Sequence, residues 1–211
     1  MSSTQPEEKK KLSFTDKLRL GFAWLLKPIV VFLNRLGLRP NTVTLIGLAG
    51  TAACAVLIAL GHMSWAGWLL LIMGPVDALD GSLARLRNEA SAWGAFVDSV
   101  TDRYSELLIF LGFLIFFLLH FNPSAVILAY LAAAGSVLVS YIKARADASR
   151  LDANVGLLTR AERYIVLIPG LVFNQPLAVL LIIAIFANFT ALQRIFRVRR
   201  DAHRQISQSQ E

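Results

Sequence analysis

Residues 93–119 read WGAFVDSVTDRYSELLIFLGFLIFFLL, a stretch that begins with carboxylates and ends in an unbroken apolar run. An apolar helix of about 20 residues is long enough to cross a bilayer. Asp98 and Asp102 lie in the first turns of such a helix, near its membrane boundary. The stretch therefore predicts a transmembrane helix with an acidic site at one end.

Five further apolar stretches have the same character. The chain is 56% hydrophobic and 17% charged, with a mean hydropathy of +0.59, which exceeds what a water-soluble domain of this size needs for its core. Residues 161–173 reach span length only if the polar residues 159–163 begin the same helix. We expect an all-α integral membrane protein of six transmembrane helices, the other spans being 42–60, 65–86, 125–144 and 177–196.

The charges of the connecting segments predict the orientation. The turns 61–64, 120–124 and 174–176 contain no Lys, Arg, Asp or Glu, and all 21 Lys and Arg residues lie on the opposite side. Positive loops stay in the cytoplasm, so we expect both termini and the acidic site on the cytoplasmic face of the cell membrane. The net charge of +7 then suits anionic membrane lipids and phosphorylated substrates, and we expect no nucleic-acid partner.

The segment before the first span has mixed character. Residues 12–38 carry basic side chains beside an apolar stripe, and Pro28 interrupts the segment. An amphipathic helix lying in the membrane interface explains this pattern better than a seventh span. The stripe consists of Leu18, Phe22, Leu25 and Leu26, with Lys17, Arg19 and Lys27 among the other positions. The predicted organisation is a cytoplasmic tail and interfacial helix over 1–40, a six-helix domain over 41–200 and a cytoplasmic tail over 201–211.

Four carboxylates occur at helical spacing on two consecutive helices. Asp77 and Asp80 are three residues apart, and Asp98 and Asp102 are four apart, so each pair shares one helical face. The short connection predicts that the two helices are antiparallel neighbours. Four converging carboxylates repel one another and require cations, and oxygen ligands suit Mg²⁺ or Mn²⁺. The alternative is simple pairing with Arg85, Arg87 and Arg103. Glu106, one turn beyond Asp102, is expected to pair with Arg103 or Arg163 and is not assigned to the metals.

The pattern D-x2-D-G-x2-A-R-x8-G-x3-D-x3-D over 77–102 resembles the signature of the CDP-alcohol phosphotransferase family. The resemblance implies six transmembrane helices, an N-terminal interfacial helix and a homodimer. It also implies two metal ions bound by Asp77, Asp80 and Asp98. Asp102 is implied to be both a metal ligand and the base that takes the proton of the acceptor alcohol.

The same resemblance implies a site for a CDP-lipid, such as CDP-diacylglycerol. From the residues alone, Asn41 and Thr44 are equally well interpreted as helix caps. Gly81 and Gly94 allow close approach either of a neighbouring helix or of a nucleotide. The implied CDP-lipid residues are Asn41, Thr44, Asp77, Gly81, Arg85 and Ser91.

Basic residues after the fourth span and at the start of the fifth suggest a second anion site. From composition alone they could equally anchor the helices to headgroups. The run SYIKARA at 140–146 and Asp102-Arg103 resemble the prokaryotic phosphatidylinositol phosphate synthases of the family, which implies inositol 1-phosphate as acceptor. Glycerol 3-phosphate is the alternative acceptor. The implied phosphate-binding residues are Ser140, Lys143, Arg160, Arg163, Arg194 and Arg197.

Two other classes of function compete with an enzyme. A transporter would use intramembrane carboxylates as an ion path, but no carboxylate toward the outer face continues the path. A membrane scaffold would not need the four aspartates at all. We therefore expect a metal-dependent transferase.

Overall fold

The computed structural model describes residues 27–208, apart from the side chains of Asp77 and Ala78. All the regular elements in this range are helices, which confirms the predicted all-α fold. The helices are α1 (27–35), α2 (Pro40–Ala59), α3 (Met63–Met73), α4 (Val76–Leu86), α5 (Ala92–Leu119), α6 (Pro123–Ala148), α7 (Arg160–Val172) and α8 (Pro176–Gln208).

Three of these helices are long and apolar enough to cross a membrane. The most apolar windows of α2, α6 and α8 have mean hydropathies of 2.1, 2.1 and 2.0, and α3 is a shorter apolar helix. Large apolar side chains cover the outer surface, including Trp65, which is 71% exposed. Such a surface is unfavourable in water and favourable in lipid. The chain is thus a membrane protein.

The core lies where the helices pack in pairs. α2 packs against α5, α6 against α8, α5 against α6, and α3 against α7. A Cβ at Gly112 of α5 would lie 2.5 Å from the carbonyl oxygen of Ala55 on α2. A Cβ at Gly135 of α6 would lie 2.6 Å from the side-chain nitrogen of Asn188 on α8. Small residues therefore permit the close backbone approach that stabilises helix pairs in lipid.

The apolar stretch predicted as one span over 65–86 is divided into α3 and α4. Gly74 and Pro75 separate the two helices. Pro75 has no N–H to continue the helical hydrogen bonds, and its ring crowds the preceding turn. The acidic part of the stretch therefore lies on a short separate helix, α4.

The described chain is helical near both of its ends. The predicted apolar stripe of the interfacial helix lies outside the described residues, whereas Val30 of α1 packs with Val43 of α2 and Leu79 of α4. At the other end, α8 does not stop near residue 200 but continues to Gln208. At 1.5 Å per residue, its 33 residues measure about 50 Å, which exceeds the roughly 30 Å apolar layer of a bilayer.

Candidate active site

Asp80 is the most buried of the described site carboxylates, with 5% of its surface exposed. Its Oδ2 accepts a hydrogen bond of 2.5 Å from the hydroxyl of Thr44, near the start of α2. Its Oδ1 accepts a hydrogen bond from the backbone N–H of Gly81. These donors satisfy a carboxylate that lies away from water. The bond from Thr44 also joins α2 to α4 at the acidic end of the protein.

The two site carboxylates of α5 lie one helical turn apart. Asp98 and Asp102 are both half-buried. Asp102 Oδ2 forms an ion pair with Arg160 Nη1 at the start of α7, and Arg103 Nη1 lies 3.7 Å from the same oxygen. The Arg160 guanidinium also lies 5.7 Å from the centre of the Tyr164 ring, within cation–π range. α7 thus places a cation on the carboxylate predicted to act as base.

α4 and α5 are not the close neighbours that the sequence predicted. Both helices pack against α2, and their direct contact with each other is slight. The reason is the apolar face of α4, because Leu79 and Leu83 pack with Val43 of α2 and Val30 of α1. α2 is therefore the element that relates the two acidic helices.

The predicted four-aspartate metal site is only partly described, since the side chain of Asp77 lies outside the described residues. Among the described side chains, which do not include that of Asp77, no three carboxylate, histidine or cysteine groups lie close enough together to hold one metal ion. The donors at this end of the protein are carboxylate and hydroxyl oxygens, including the buried pair of Asp80 and Thr44. Such a donor set fits a hard divalent cation. The four-aspartate site itself stays a prediction.

A second ion pair lies one turn deeper than Asp102. Arg163 is fully buried, Glu106 is 5% exposed, and Arg163 Nε lies 2.6 Å from Glu106 Oε1. Arg163 Nη1 donates a hydrogen bond of 3.2 Å to the carbonyl oxygen of Leu158. Two ion pairs therefore link α5 to α7. Arg160 and Arg163 lie on one face of α7, and Asp102 and Glu106 lie on one face of α5. Of the two partners predicted for Glu106, Arg163 is the one that it contacts.

The predicted CDP-lipid residues have different surroundings. Asn41 is exposed in the first turn of α2, and Thr44 binds Asp80. The interpretation of both as helix caps is wrong, because Arg39 occupies the N-cap position of α2. Ser91, by contrast, caps α5, where its Oγ accepts a hydrogen bond of 3.1 Å from the N–H of Gly94.

Gly81 and Arg85 lie next to each other on α4. A Cβ at Gly81 would lie 3.6 Å from Arg85 Nη1, which is ordinary contact. Arg85 is exposed, and its Nη2 donates a hydrogen bond of 3.1 Å to the hydroxyl of Ser82. The pair thus offers an accessible guanidinium in the last turn of α4, beside a backbone without a side chain.

The predicted acceptor residues also differ from one another in burial and in contacts. Ser140 is half-buried, and Lys143 Nζ lies 2.5 Å from Asp147 Oδ1 on the same helix. Arg194 and Arg197 of α8 both contact the connection between α6 and α7. Of the six residues, Arg160 is the one whose described contacts reach a motif aspartate.

Residues 38–193 match the family model of CDP-alcohol phosphatidyltransferases. The chain belongs to this family. The matched region contains all four motif aspartates and runs from the start of α2 into α8. Membership of an enzyme family decides against the alternatives of a transporter and a scaffold.

Two curated relatives within this phosphatidyltransferase family share about a third of their residues with the chain. The phosphatidylinositol phosphate synthase of Mycobacteroides abscessus is 32% identical over 190 residues, which cover 86% of each protein. The phosphatidylinositol phosphate synthase of Streptomyces avermitilis is 35% identical over 201 residues, covering 87% of this chain and 82% of the relative.

A solved structure of a phosphatidyltransferase has the same fold. The phosphatidylinositol phosphate synthase of Mycobacterium tuberculosis with CDP-DAG bound superposes with a TM-score of 0.76 at 30% identity, covering 81% of this chain and 92% of that one. A second structure of the same protein, in complex with manganese and citrate, also gives a TM-score of 0.76.

Proposed function

We propose that the protein transfers a phosphatidyl group from CDP-diacylglycerol to the hydroxyl of inositol 1-phosphate, forming phosphatidylinositol phosphate and releasing CMP. The observation that carries this proposal is the contact between Arg160 and Asp102. It puts a guanidinium, which suits a phosphate, beside the motif carboxylate. Relatives named phosphatidylinositol phosphate synthase, which match more than four-fifths of the chain, support the same acceptor.

In the proposed reaction, Asp102 accepts the proton of the acceptor hydroxyl. The acceptor oxygen then bonds to the phosphorus that carries the diacylglycerol, and the bond from this phosphorus to the bridging oxygen of the diphosphate breaks. CMP leaves with that electron pair. The displacement is direct and needs no covalent enzyme intermediate.

The proposed metal site takes two Mg²⁺ ions, or Mn²⁺, on Asp77, Asp80, Asp98 and Asp102. When bound, these ions would neutralise the diphosphate and the charge that develops on departing CMP. The buried Asp80, held by Thr44, provides a fixed oxygen ligand at this site. The family membership and the manganese complex of the solved relative support dependence on a divalent metal.

The donor nucleotide is proposed to lie across the start of α2 and the exposed side of α4. The exposed Arg85 can pair with a phosphate oxygen, and Gly81 beside it lets the nucleotide approach the backbone. Asn41, Thr44, Asp77 and Ser91 complete the proposed donor site. The solved relative with CDP-DAG bound supports this class of donor.

The acceptor phosphate is proposed to bind on the side of Asp102 away from the donor nucleotide, where α6 ends and α7 begins. Arg160 contributes the nearest cation, and Lys143 a partly exposed one. Ser140, Arg163, Arg194 and Arg197 complete the proposed set. Arg163 and Arg194 are almost fully buried, so their effect on the acceptor is exerted largely through the contacts that they hold.

We further propose six spans, made by α2, the pair α3 and α4, α5, α6, α7 and α8. Both termini and the active site then face the cytoplasm, in the cell membrane. The uncharged turns 61–64, 120–124 and 174–176 support this orientation, because every Lys and Arg lies on the other side. A homodimer is proposed from the family resemblance.

The experiment that tests the function is CMP release by the detergent-purified protein with CDP-diacylglycerol and Mg²⁺. Inositol 1-phosphate, glycerol 3-phosphate, free inositol and serine are compared as acceptors. We expect turnover with inositol 1-phosphate alone. Turnover with glycerol 3-phosphate would keep the chemistry and overturn the acceptor.

A further inference from the structure

The connection between α6 and α7 is bound along one face of α8. We call residues 150–158 the strap. Five polar residues of α8, spaced by four, three, four and four positions, share one helical face, and each of them contacts the strap. These residues are Thr190, Arg194, Arg197, Asp201 and Gln205.

The end of the strap nearest α7 lies on the first two of these residues. The N–H of Leu158 donates a hydrogen bond of 3.1 Å to the hydroxyl of Thr190. Arg194 Nε donates one of 2.9 Å to the carbonyl oxygen of Val155. Between them, Gly156 has φ +141°, and a Cβ there would lie 2.4 Å from Thr190 Cγ2. The strap therefore touches α8 so closely that a side chain at 156 would not fit.

The other end of the strap is held by charged and amide side chains of α8. Arg197 Nε and Nη2 donate hydrogen bonds of 2.9 and 2.6 Å to Asp152 Oδ2. The N–H of Asp152 donates one of 2.9 Å to Asp201 Oδ2, and Gln205 Nε2 donates one of 3.2 Å to the carbonyl oxygen of Arg150. Strap numbers fall as α8 numbers rise, so the strap runs antiparallel to α8 over about four helical turns.

The contacts of Asp152 keep it charged. The backbone N–H of Asn154 and then the Arg197 guanidinium lower the pKa of the Asp152 carboxyl below its usual range. We call Asp152, Arg197 and Asp201 the latch. Arg197 and Asp201 lie beyond residue 193, where the match to the family model ends.

The strap leads directly into the proposed acceptor site. Its last residue, Leu158, is 6% exposed, and its carbonyl oxygen accepts the hydrogen bond from Arg163. Two residues further, Arg160 forms the ion pair with Asp102. The position of the strap on α8 therefore fixes where α7 begins and where its first cation points.

We propose that the latch is a positioning device, which holds the strap on α8 and so places Arg160 for the phosphate of the acceptor. This rests on the proposed function. It gives Arg197 a different role from direct phosphate binding, because its Nε and Nη2 are both turned to Asp152. Loosening the latch lowers acceptor affinity while the donor site on α2 and α4 is untouched.

The test is a charge swap between Asp152 and Arg197. The variants are Asp152→Arg, Arg197→Asp and the double variant, with the milder Asp152→Asn beside them. We expect each single change to raise the KM of inositol 1-phosphate about tenfold, with the KM of CDP-diacylglycerol unchanged and hydrogen exchange of residues 151–159 accelerated. We expect the double variant to recover most of both losses.

The matched control is Arg199→Asp. Arg199 is exposed on the same helix, about half a turn away from the latch face, so this change has the same charge effect without touching the strap. It should leave both KM values and the hydrogen exchange as in the unmodified protein.

A direct phosphate ligand would behave differently. If Arg197→Asp raises the acceptor KM, Asp152→Asn does not, and the double variant is no better than Arg197→Asp alone, the latch is overturned. Failure of the unmodified protein to use inositol 1-phosphate would contradict the proposed function instead. Hydrogen exchange then decides the latch by itself, and equal exchange in all variants would overturn it.

Discussion

The contact between Asp102 and Arg160 joins two parts of the sequence that are 58 positions apart. Asp102 belongs to the acidic motif and Arg160 to the basic run that opens α7. The family resemblance implied proton transfer for the carboxylate and phosphate binding for the arginine. Their contact brings these two roles to one place, as an attack by the hydroxyl of a phosphorylated acceptor requires.

Replacing Asp102 by Asn should abolish transfer. The amide cannot accept the acceptor's proton and is a weaker metal ligand, so we expect CMP release to fall by at least about 100-fold. The thermal unfolding midpoint in detergent should stay close to that of the unmodified protein. Substantial remaining turnover would remove Asp102 from the role of base.

Replacing Lys143 by Ala should weaken binding of the acceptor far more than that of the donor. Lys143 lies near the C-terminal end of α6, paired with Asp147 on the same helix and still partly exposed. Steady-state kinetics with both substrates varied will separate the two KM values. The control is Arg145→Ala, which removes an exposed cation from the same turn of α6. Equal effects on both substrates would place Lys143 outside the acceptor site.

At the scale of elements, the buried pair of Glu106 and Arg163 holds α5 and α7 in register. Removal of one member of a buried pair leaves an unpaired charge, which typically costs about 3–5 kcal/mol. We therefore expect Glu106→Gln to lower the unfolding midpoint strongly. The double change Glu106→Leu with Arg163→Met should restore much of it, since it buries no charge.

That comparison is made by thermal unfolding of the detergent-solubilised variants, with Glu89→Gln as an exposed control. If the double variant is less stable than Glu106→Gln alone, the pair contributes through specific hydrogen bonds, such as the one from Arg163 to Leu158. An uncompensated buried charge would then not be the cause of the lower stability of Glu106→Gln.

The starts of α2 and α5 could be predicted because each marks the change from polar to apolar sequence. α2 begins two residues before its predicted start, at Pro40, and α5 one residue before, at Ala92. The division at Pro75 was missed because a proline within an apolar stretch is also compatible with one kinked span. Helix propensity alone does not distinguish one kinked span from two separate helices.

The strap could not be predicted because its partners are distant in sequence. Asp152 and Arg197 are 45 positions apart, and no local pattern pairs them. The α8 extension carried a usable signal, since Arg194, Arg197 and Asp201 recur at helical spacing. The polar composition after residue 200 outweighed that signal and suggested a tail.

At the scale of the whole molecule, the proposed orientation makes a prediction about access. Single cysteines at Asn174 and at Ser149, in a Cys54→Ser background, report on the two sides of the membrane. We expect a membrane-impermeant thiol reagent to label Asn174→Cys in intact cells. Ser149→Cys should be labelled only after permeabilisation. Labelling of both in intact cells would contradict six spans with the active site in the cytoplasm.

The transfer of a phosphatidyl group to inositol 1-phosphate can be followed directly in the lipid product. Purified protein is incubated with radiolabelled CDP-diacylglycerol, Mg²⁺ and inositol 1-phosphate, and the extracted lipids are identified by mass. We expect phosphatidylinositol phosphate in equal amount to the released CMP, and neither product from Asp102→Asn. A different lipid product, or CMP release without any new lipid, would contradict the proposed transfer.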